Sequence, residues 1–593
     1  MSFHPNDIAR RARVSAALIS SVVLFLLAAF FRTQVLRTQQ WVLQSEQNRL
    51  REVPLPAPRG TIFDRNGLVI AENVVGYSVS VLSQSEDSLR ATLTRLTRTI
   101  PLSPNEIEAA VRRYRRDRAR PTVIVADASF DVVSVLEEHR IEFPSLIIQS
   151  APKRYYPDSA IVGPFVGYTG EISDAELAQP QYAAYKAGQQ VGKQGLEKEY
   201  EDSLRGHEGS RFVEVDARNR VVREATREEQ PKGAGPLYTN IDLDLQRFAV
   251  KQFGDTLQGG VVAIVPKTGE VLVVYSNPTF DPNRFIGGIP LSYYDSLRND
   301  PRKPLYNKAL QGTYAPGSTW KLATSIIALE NKLVSFNDRM PVPCTGGMYY
   351  GNRYWHCWEK KGHGSVSLHG AITKSCDVYF YQLGLKVGIT RLIAGGVNLG
   401  MGDKSGIDLP EERKPIFPDG VQYFNQKYGP RNWTQGGVVM NMSIGQGDNS
   451  QTIVNMARFY TALATDGSAA RPEVVRHKPE RKQLFQLSNA DLSELQVALA
   501  GVTEAGGTAA ASAIKGVALA GKTGTAQSGV KRNGIELNHA WFVGYAPAND
   551  PKIVVAVMLE YVPFHGSVSA RIASAIIAHY LKVQPVSLVE TEG

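Results

Sequence analysis

Ala315-Pro316-Gly317-Ser318-Thr319-Trp320-Lys321-Leu322-Ala323-Thr324-Ser325-Ile326-Ile327-Ala328-Leu329 is the stretch on which the reading of this chain turns. Pro316 and Gly317 break the chain just ahead of Ser318, and the apolar spacing that follows predicts a buried helix starting at that serine. Residues three apart share a helical face, so the Lys321 amine can reach the Ser318 hydroxyl, while the positive helix amino terminus favours a developing alkoxide. That pairing is serine-nucleophile chemistry, with a lysine that must be neutral to take the proton; burial in an apolar helix favours the neutral form. Alone, Ser-x-x-Lys proves little, because it arises by chance in most long chains.

Two later segments corroborate it. Ser375-Cys376-Asp377 follows a predicted helix over residues 369–374, and Lys522-Thr523-Gly524-Thr525 comes after the small-residue strand 517–520. Helix, loop and strand would each supply one wall of a site. The Lys522 ammonium can meet a substrate carboxylate there, and Gly524 lets a substrate backbone approach. Lys267-Thr268-Gly269 spells the same tripeptide but precedes Ser318 and sits between the apolar runs 261–265 and 271–275, so it reads as a hairpin turn. With a helix over 243–253, strands over 541–545 and 553–559, and a helix over 567–581, the carboxy-terminal half reads as one α/β (α+β) sandwich domain.

The amino-terminal end differs. Residues 14–31 carry no charge, which is long enough for one transmembrane helix, placed here at 14–32. A cleavable signal peptide would have a shorter apolar core and small residues at its end. Arg10, Arg11 and Arg13 precede the span, so residues 1–13 are expected in the cytoplasm and everything beyond 32 outside it. Apolar residues recurring from Val35 to Leu50 predict that the helix continues out of the membrane until Pro54 and Pro56 end it. Arg59-Gly60-Thr61-Ile62-Phe63-Asp64-Arg65-Asn66-Gly67 then opens an exported domain with a hairpin. That mixed α/β, non-catalytic domain spans 33–232 and ends in charged sequence over 227–233 that suits a linker. The catalytic domain follows at 233–585, with a short tail at 586–593.

A chain of 593 residues exceeds what one core usually organises, consistent with this multidomain division. Its 43% hydrophobic and 21% charged composition excludes collagenous, low-complexity and disordered classes. A net charge of +9 is a mild bias suited to anionic membrane or wall polymers. Arg112, Arg113, Arg115, Arg116, Arg118 and Arg120 form the densest basic run; it reads as a solvated helix face rather than a nucleic-acid patch, and no nucleic-acid partner is expected.

The ordered trio of motifs resembles that of the penicillin-binding protein and serine β-lactamase superfamily. Arg59 to Gly67, Gly192-Lys193-Gln194-Gly195-Leu196-Glu197, Pro316-Gly317-Ser318 and Gly445-Gln446-Gly447 narrow the resemblance to class B penicillin-binding proteins, and to their elongation-type branch, penicillin-binding protein 2. The second motif has Asp377 where the superfamily pattern has asparagine, and a carboxylate there favours a charged Lys321. The resemblance implies a transpeptidase domain with a central antiparallel sheet flanked by helices, on a dimerisation or pedestal domain held by the single inner-membrane anchor, with the catalytic domain in the periplasm. It implies that Ser318 attacks the penultimate D-alanine of a stem pentapeptide and Lys321 takes its proton. Ser375 would relay that proton to the leaving amine, and Lys522 and Thr523 would bind the terminal carboxylate. Backbone amides of Ser318 and Thr525 would form the oxyanion hole, with Asp377 and Gly524 completing the site. Cross-linking of glycan strands during elongation and rod-shape maintenance, acylation by β-lactams, and partnership with a RodA-type glycan polymerase and an MreC-type scaffold follow from the same resemblance. A D,D-carboxypeptidase, a β-lactamase and a non-catalytic scaffold are the rival readings.

All three cysteines, Cys344, Cys357 and Cys376, fall within 33 consecutive positions, with His363 between the last two. Three thiolates and one imidazole match a tetrahedral structural zinc site. Their spacing fits no common zinc finger, and a disulfide that strands the third cysteine is the alternative. By resemblance, some members of the elongation branch bind zinc beside the second motif, with aspartates at two of these positions. His356 and His369 are expected to face solvent or pack. No cofactor is expected for the acyl transfer itself.

Overall fold

The computed structural model describes residues 5–37, 50–118, 120–216 and 220–584. The helix Pro5–Phe31 passes into a π-helical turn, Arg32–Leu36. Its apolar span has a mean hydropathy of 2.5 and buries nothing against the rest of the protein. Such a face is stable only in lipid or against a partner helix.

The helix predicted to leave the membrane does not reach Pro54. Residues 38–49 lie outside the described residues, and Leu50–Leu55 is instead a strand (β1) paired antiparallel with Gly209–Val215. Pro54 sits in this edge strand, where a missing N–H is tolerated, so it ends no helix. The pedestal continues with β2 (Ile62–Phe63) and the long β3 (Val69–Val81), joined by the anticipated Asn66-Gly67 turn. Asp64 fixes that turn by accepting the Asn66 and Leu68 amides at 2.7 and 2.8 Å. β4 (Thr122–Ala128) and β5 (Leu146–Tyr155) pair with β3 on either side. β6 (Thr169–Glu171) and β7 (Gln190–Gly192) form a small ribbon. β8 (Gly209–Val215) and β9 (Val221–Glu229) complete the sheet that β1 begins. The charged stretch expected as a linker is therefore partly strand: Glu228 and Glu229 pair with Arg211 and Ser210 of β8, and Lys232 still bridges back to His207. β10 (Leu237–Tyr238) adds to β2 in parallel.

One buried charge network locks the pedestal together. The Arg59 guanidinium donates to Glu197 and Glu201 at 2.8–3.1 Å, and Arg154 and Tyr156 converge on Glu197 at 2.6 and 3.1 Å. Burial alone pushes the Glu197 carboxyl up, but the two arginines outweigh it and hold the group below its usual range. Four of the six residues of the arginine run form ion pairs: Arg113 with Glu171, Arg115 with Glu86, Arg116 with Asp174 and Arg120 with Glu52.

The catalytic unit is built on an antiparallel sheet of β11 (Gly259–Ile264) and β12 (Val271–Asn277) with three late strands. A hairpin, β13 (Gly347–Tyr350) and β14 (Arg353–His356), and a short pair, β15 (Ser468–Ala470) and β16 (Arg481–Gln483), lie in the insert. β17 (Ala520–Arg532), β18 (Ile535–Ala546) and β19 (Ile553–Val562) then complete the order β12-β11-β19-β18-β17. Side chains alternate faces along each strand. Val261 and Ala263 therefore join one core with the helices Leu243–Phe253 and Ser567–Leu581, while Val262 and Ile264 join the other with Trp320 and the helix Ile453–Ala464. The Ser318 segment is thus held against one sheet face, and the third motif lies on the edge strand beside it.

Candidate active site

Ser318 sits in a single 3-10 turn, Gly317–Trp320, that leads into the buried helix Lys321–Glu330. The expected helix start is therefore present in a tighter form. Gly317 has φ of +54°, a conformation that favours glycine, and its amide donates to the Gly445 carbonyl at 2.9 Å. A Cβ on Gly445 would fall 2.2 Å from the Gly317 oxygen, and one on Gly524 would fall 2.7 Å from the Pro316 oxygen. The serine loop is therefore pressed between the 445–447 loop and β17, and both neighbours are glycine because backbone meets backbone.

Lys321 is fully buried and Nζ donates to the Ser375 carbonyl (2.8 Å), Ser375 Oγ (3.1 Å) and Asp377 Oδ1 (2.7 Å). All three donors of an ammonium point at the second motif. Among the described residues no hydrogen bond joins Lys321 to Ser318 Oγ. Ser375 lies in the left-handed region with φ of +55°, a conformation worth about 1–3 kcal/mol of strain in a non-glycine residue. Asp377 begins the helix Asp377–Val387, and burial pushes its carboxyl up while Lys321 opposes the shift.

Trp358 is a residue that sequence reasoning missed. Its amide donates to Asp377 Oδ2 at 3.0 Å and its indole donates to the Ser375 and Lys374 carbonyls at 3.0 and 3.2 Å. The available signal was its place directly after Cys357.

The third motif lies within β17 rather than after a strand. Lys522 is fully buried, and burial, then the nearby Lys321 ammonium, push its ammonium well below the ordinary lysine range against a smaller opposing effect of Asp377. Its Nζ donates to the Thr523 carbonyl at 3.2 Å. Thr523 Oγ1 pairs with Thr508 Oγ1 at 2.8 Å, and Thr525 is flanked by His565 (3.5 Å) and by Gln446, whose amide donates to the Thr525 carbonyl at 3.2 Å. Trp541 on β18 donates to the Ala315 carbonyl at 3.0 Å, tying the serine loop to the sheet. Thr508, His565 and Trp541 carry no local sequence signal; only pairing distant in sequence brings them in. β17 is the outer strand of the sheet, so an extended peptide can add along it. The second Lys-Thr-Gly lies in the β11–β12 turn, with Gly269 at φ of +84° and Lys267 paired with Asp550, far from this arrangement.

Cys344, Cys357, His363 and Cys376 bring one donor atom each to within 4.8 Å of one another. His363 Nδ1 lies 3.7 Å from Cys344 Sγ and 3.6 Å from Cys357 Sγ. All three thiols are buried and free. The Cys376 thiol and His363 hold Cys357 below the usual thiol range, and the same contact with burial pushes Cys376 up. Tetrahedral sulfur and nitrogen ligands 2.0–2.3 Å from a central ion leave their donors roughly this far apart, so the four residues fit zinc. His356 packs edge-on against Tyr354 and His369 faces Glu494, both outside the cluster.

Residues 259–578 match the family model of the penicillin binding protein transpeptidase domain, and residues 54–237 match that of the penicillin-binding protein dimerisation domain. The peptidoglycan D,D-transpeptidase MrdA of Acinetobacter baumannii is 31% identical over 96% of this chain and 87% of that protein. MrdA of Escherichia coli K12 is 32% identical over 79% of this chain and 74% of that protein. The complex of penicillin-binding protein 2 with MreC from Helicobacter pylori gives a TM-score of 0.76 at 28% identity, covering 90% of this chain and 99% of the matched one. A chain of a peptidoglycan synthase complex that coordinates polymerization and crosslinking gives 0.70 at 29% identity, covering 97% and 100%. A chain with this fold, these two domains and three motifs converging on one cleft belongs to the peptidoglycan D,D-transpeptidases of the penicillin-binding protein 2 family, serine enzymes that work through an acyl-enzyme.

Proposed function

We propose that Ser318 carries the acyl group in this reaction. The observation that supports it is that two distant stretches of chain meet the serine turn: Ser375 and Asp377 close on Lys321, and the Lys522–Thr525 strand packs against the backbone at Pro316 and Gly317. Ser318 Oγ attacks the penultimate D-alanine carbonyl of a stem pentapeptide and its proton passes to Lys321 in the neutral form. The protonated lysine is the one that donates to Ser375 and Asp377. The tetrahedral oxyanion is met by the backbone amides of Ser318 and Thr525. The carbon–nitrogen bond then breaks, and the proton returns through Ser375 to the amine of the departing D-alanine. An amine of a neighbouring stem attacks the ester, its proton restores Ser318, and the two strands are cross-linked. Lys522 and Thr523 hold the terminal carboxylate, and Gly524 leaves room for the substrate backbone along β17. β-Lactams acylate the same serine.

Cys344, Cys357, His363 and Cys376 hold a structural zinc. Bound there, the ion would tie these four residues together structurally and take no part in the acyl transfer. Cys376 lies between Ser375 and Asp377, and Cys357 precedes Trp358, so both ends of the tie reach the second motif. Metal analysis of the purified chain tests this: stoichiometric zinc is expected, and a disulfide between two of the cysteines without metal would overturn it.

Residues 1–13 stay in the cytoplasm, 14–32 cross the inner membrane, 33–232 form the pedestal and 233–585 the catalytic domain in the periplasm, with the tail at 586–593. Support comes from the arginines ahead of the span and the apolar helix. An MreC-type scaffold and a RodA-type polymerase are the proposed partners, supported by the likeness to a chain solved with MreC and to one solved in a peptidoglycan synthase complex. Fluorescent penicillin should label the wild type and not Ser318→Ala; equal labelling of both refutes the assignment.

A further inference from the structure

The β13–β14 hairpin stands beside the catalytic cleft, yet acyl transfer does not use it. Its cross-strand pairs sort its side chains cleanly. Met348 and Trp355 face inward, with Trp355 packed edge-on to Tyr381 at 5.5 Å. On the other face Tyr349 opposes Tyr354 and Gly347 opposes His356. Tyr349 is 75% exposed, its ring centroid is 4.9 Å from that of Tyr354, and Tyr354 is 4.9 Å from His356. Gly347 makes room for this row, since a Cβ there would fall 2.5 Å from the Tyr354 ring. Beyond the strand the alternation persists: Trp355 and Cys357 are buried, whereas His356 and Trp358 are exposed.

Tyr354, His356 and Trp358 therefore leave the chain on one side, a row of about 13 Å at 3.4 Å per residue. Its inner end is Trp358, 53% exposed, whose indole N–H holds the Ser375 carbonyl. The row is rigid. Cys357 donates to the Gly346 carbonyl and Cys344 exchanges two hydrogen bonds with Gly364, all at 2.9 Å, which fixes both ends of the hairpin. Neither the Tyr349 nor the Tyr354 hydroxyl bonds to any described residue.

Exposed aromatic rows of this kind mark ligand surfaces on soluble domains. Flat rings offer apolar faces to the C–H face of a pyranose, and free phenol and imidazole groups suit sugar hydroxyls. The substrate of this family is a peptide carried on a glycan, and the row is continuous with the residues that bound the acylating serine. We propose that the face formed by Tyr349, Tyr354, His356 and Trp358 is a subsite for the glycan strand that bears the stem peptide. This inference rests on the transpeptidase reading of Ser318.

The test uses the full chain in detergent with Tyr349→Ala/Tyr354→Ala, whose side chains touch neither the serine nor the cysteine cluster. Three probes are compared: glycan-linked stem pentapeptide, the free pentapeptide and fluorescent penicillin. The subsite predicts an approximately tenfold rise in KM for the glycan-linked substrate, kcat little changed, and no change with the other two probes. Restoring rings with Tyr349→Phe/Tyr354→Phe should recover most of the KM. Unchanged kinetics on the glycan-linked substrate, or an equal loss on the free pentapeptide, would overturn it. So would unchanged kinetics accompanied by loss of a co-purifying protein, which would make the face a protein dock. Failure of the wild type to label with penicillin would refute the acyl-serine reading separately.

Discussion

Replacing Gly317 by alanine perturbs the site through backbone alone. The residue has φ of +54°, and the left-handed region disfavours an L side chain by about 1–2 kcal/mol. Gly67, at φ of +89° in the pedestal turn, carries the same penalty but has nothing within 4 Å of a new Cβ. At Gly317 the Cβ would stand 2.6 Å from the Thr525 carbonyl oxygen and 3.1 Å from its nitrogen. Both atoms belong to a strand held in the sheet, so the serine loop has to move. Reaching 3.0–3.4 Å requires a shift of about 0.4–0.8 Å away from the strand that carries Lys522 and Thr525. A displacement approaching 1 Å in a near-attack geometry lowers rate by about 100-fold, or about 2.7 kcal/mol of barrier. Gly67→Ala should therefore lose only the conformational penalty in thermal unfolding, while Gly317→Ala loses more than that and also about 100-fold in the second-order rate of penicillin acylation. Equal acylation by the two variants would refute the claim that Ser318 and Thr525 act as one rigid pair.

Asp377→Asn leaves the fully buried Lys321 without its carboxylate, so a loss of about 3–5 kcal/mol is expected in denaturant unfolding, and an unchanged midpoint would contradict the pairing. Glu197→Gln leaves Arg154 without its carboxylate and Arg59 with Glu201 alone; calorimetry should show an earlier pedestal transition with penicillin labelling retained below it. Because Lys522 is pushed down in the folded chain, the unfolded chain binds the extra proton between the folded value and the ordinary lysine value, and stability rises with pH across that window. Lys522→Met should flatten that slope, and turnover of a carboxylate-bearing stem peptide should fall on the alkaline side, where the ammonium is lost. A chelator should lower both the melting temperature and the acylation rate, with zinc restoring them; a chain indifferent to chelation carries no structural metal.

Much of the site could be read in advance because its chemistry is local. Ser318 and Lys321 lie on one helical turn, and the small residues around Gly524 announce close backbone contact. The three cysteines and His363 converge as their clustering implied. What escaped reading depends on pairing distant in sequence. Leu50–Leu55 has the apolar spacing of a helix, but β8, more than 150 residues later, offers it a ladder, and Pro54 fits the edge of that ladder. Glu228 and Glu229 look like part of a charged linker until β8 supplies a ladder. Trp358 acts through the main-chain carbonyl of Ser375, a contact that no motif encodes, and the Gly445-Gln446-Gly447 motif did not reveal that Gln446 holds the Thr525 carbonyl. The arginine run resolved as a polar surface, but one bound to specific carboxylates rather than simply solvated.

The central claim is that Ser318 becomes the acyl carrier between two stem peptides. Incubating the full chain in lipid with glycan-linked pentapeptide, quenching in acid and mapping the protein by mass spectrometry tests it directly. A stem tetrapeptide ester on the peptide containing Ser318, discharged by the amine of a second stem to give cross-linked product or by an added D-amino acid to give the exchanged peptide, is the predicted result. An acyl group on any other residue, or cross-linked product formed by Ser318→Ala, would contradict the account.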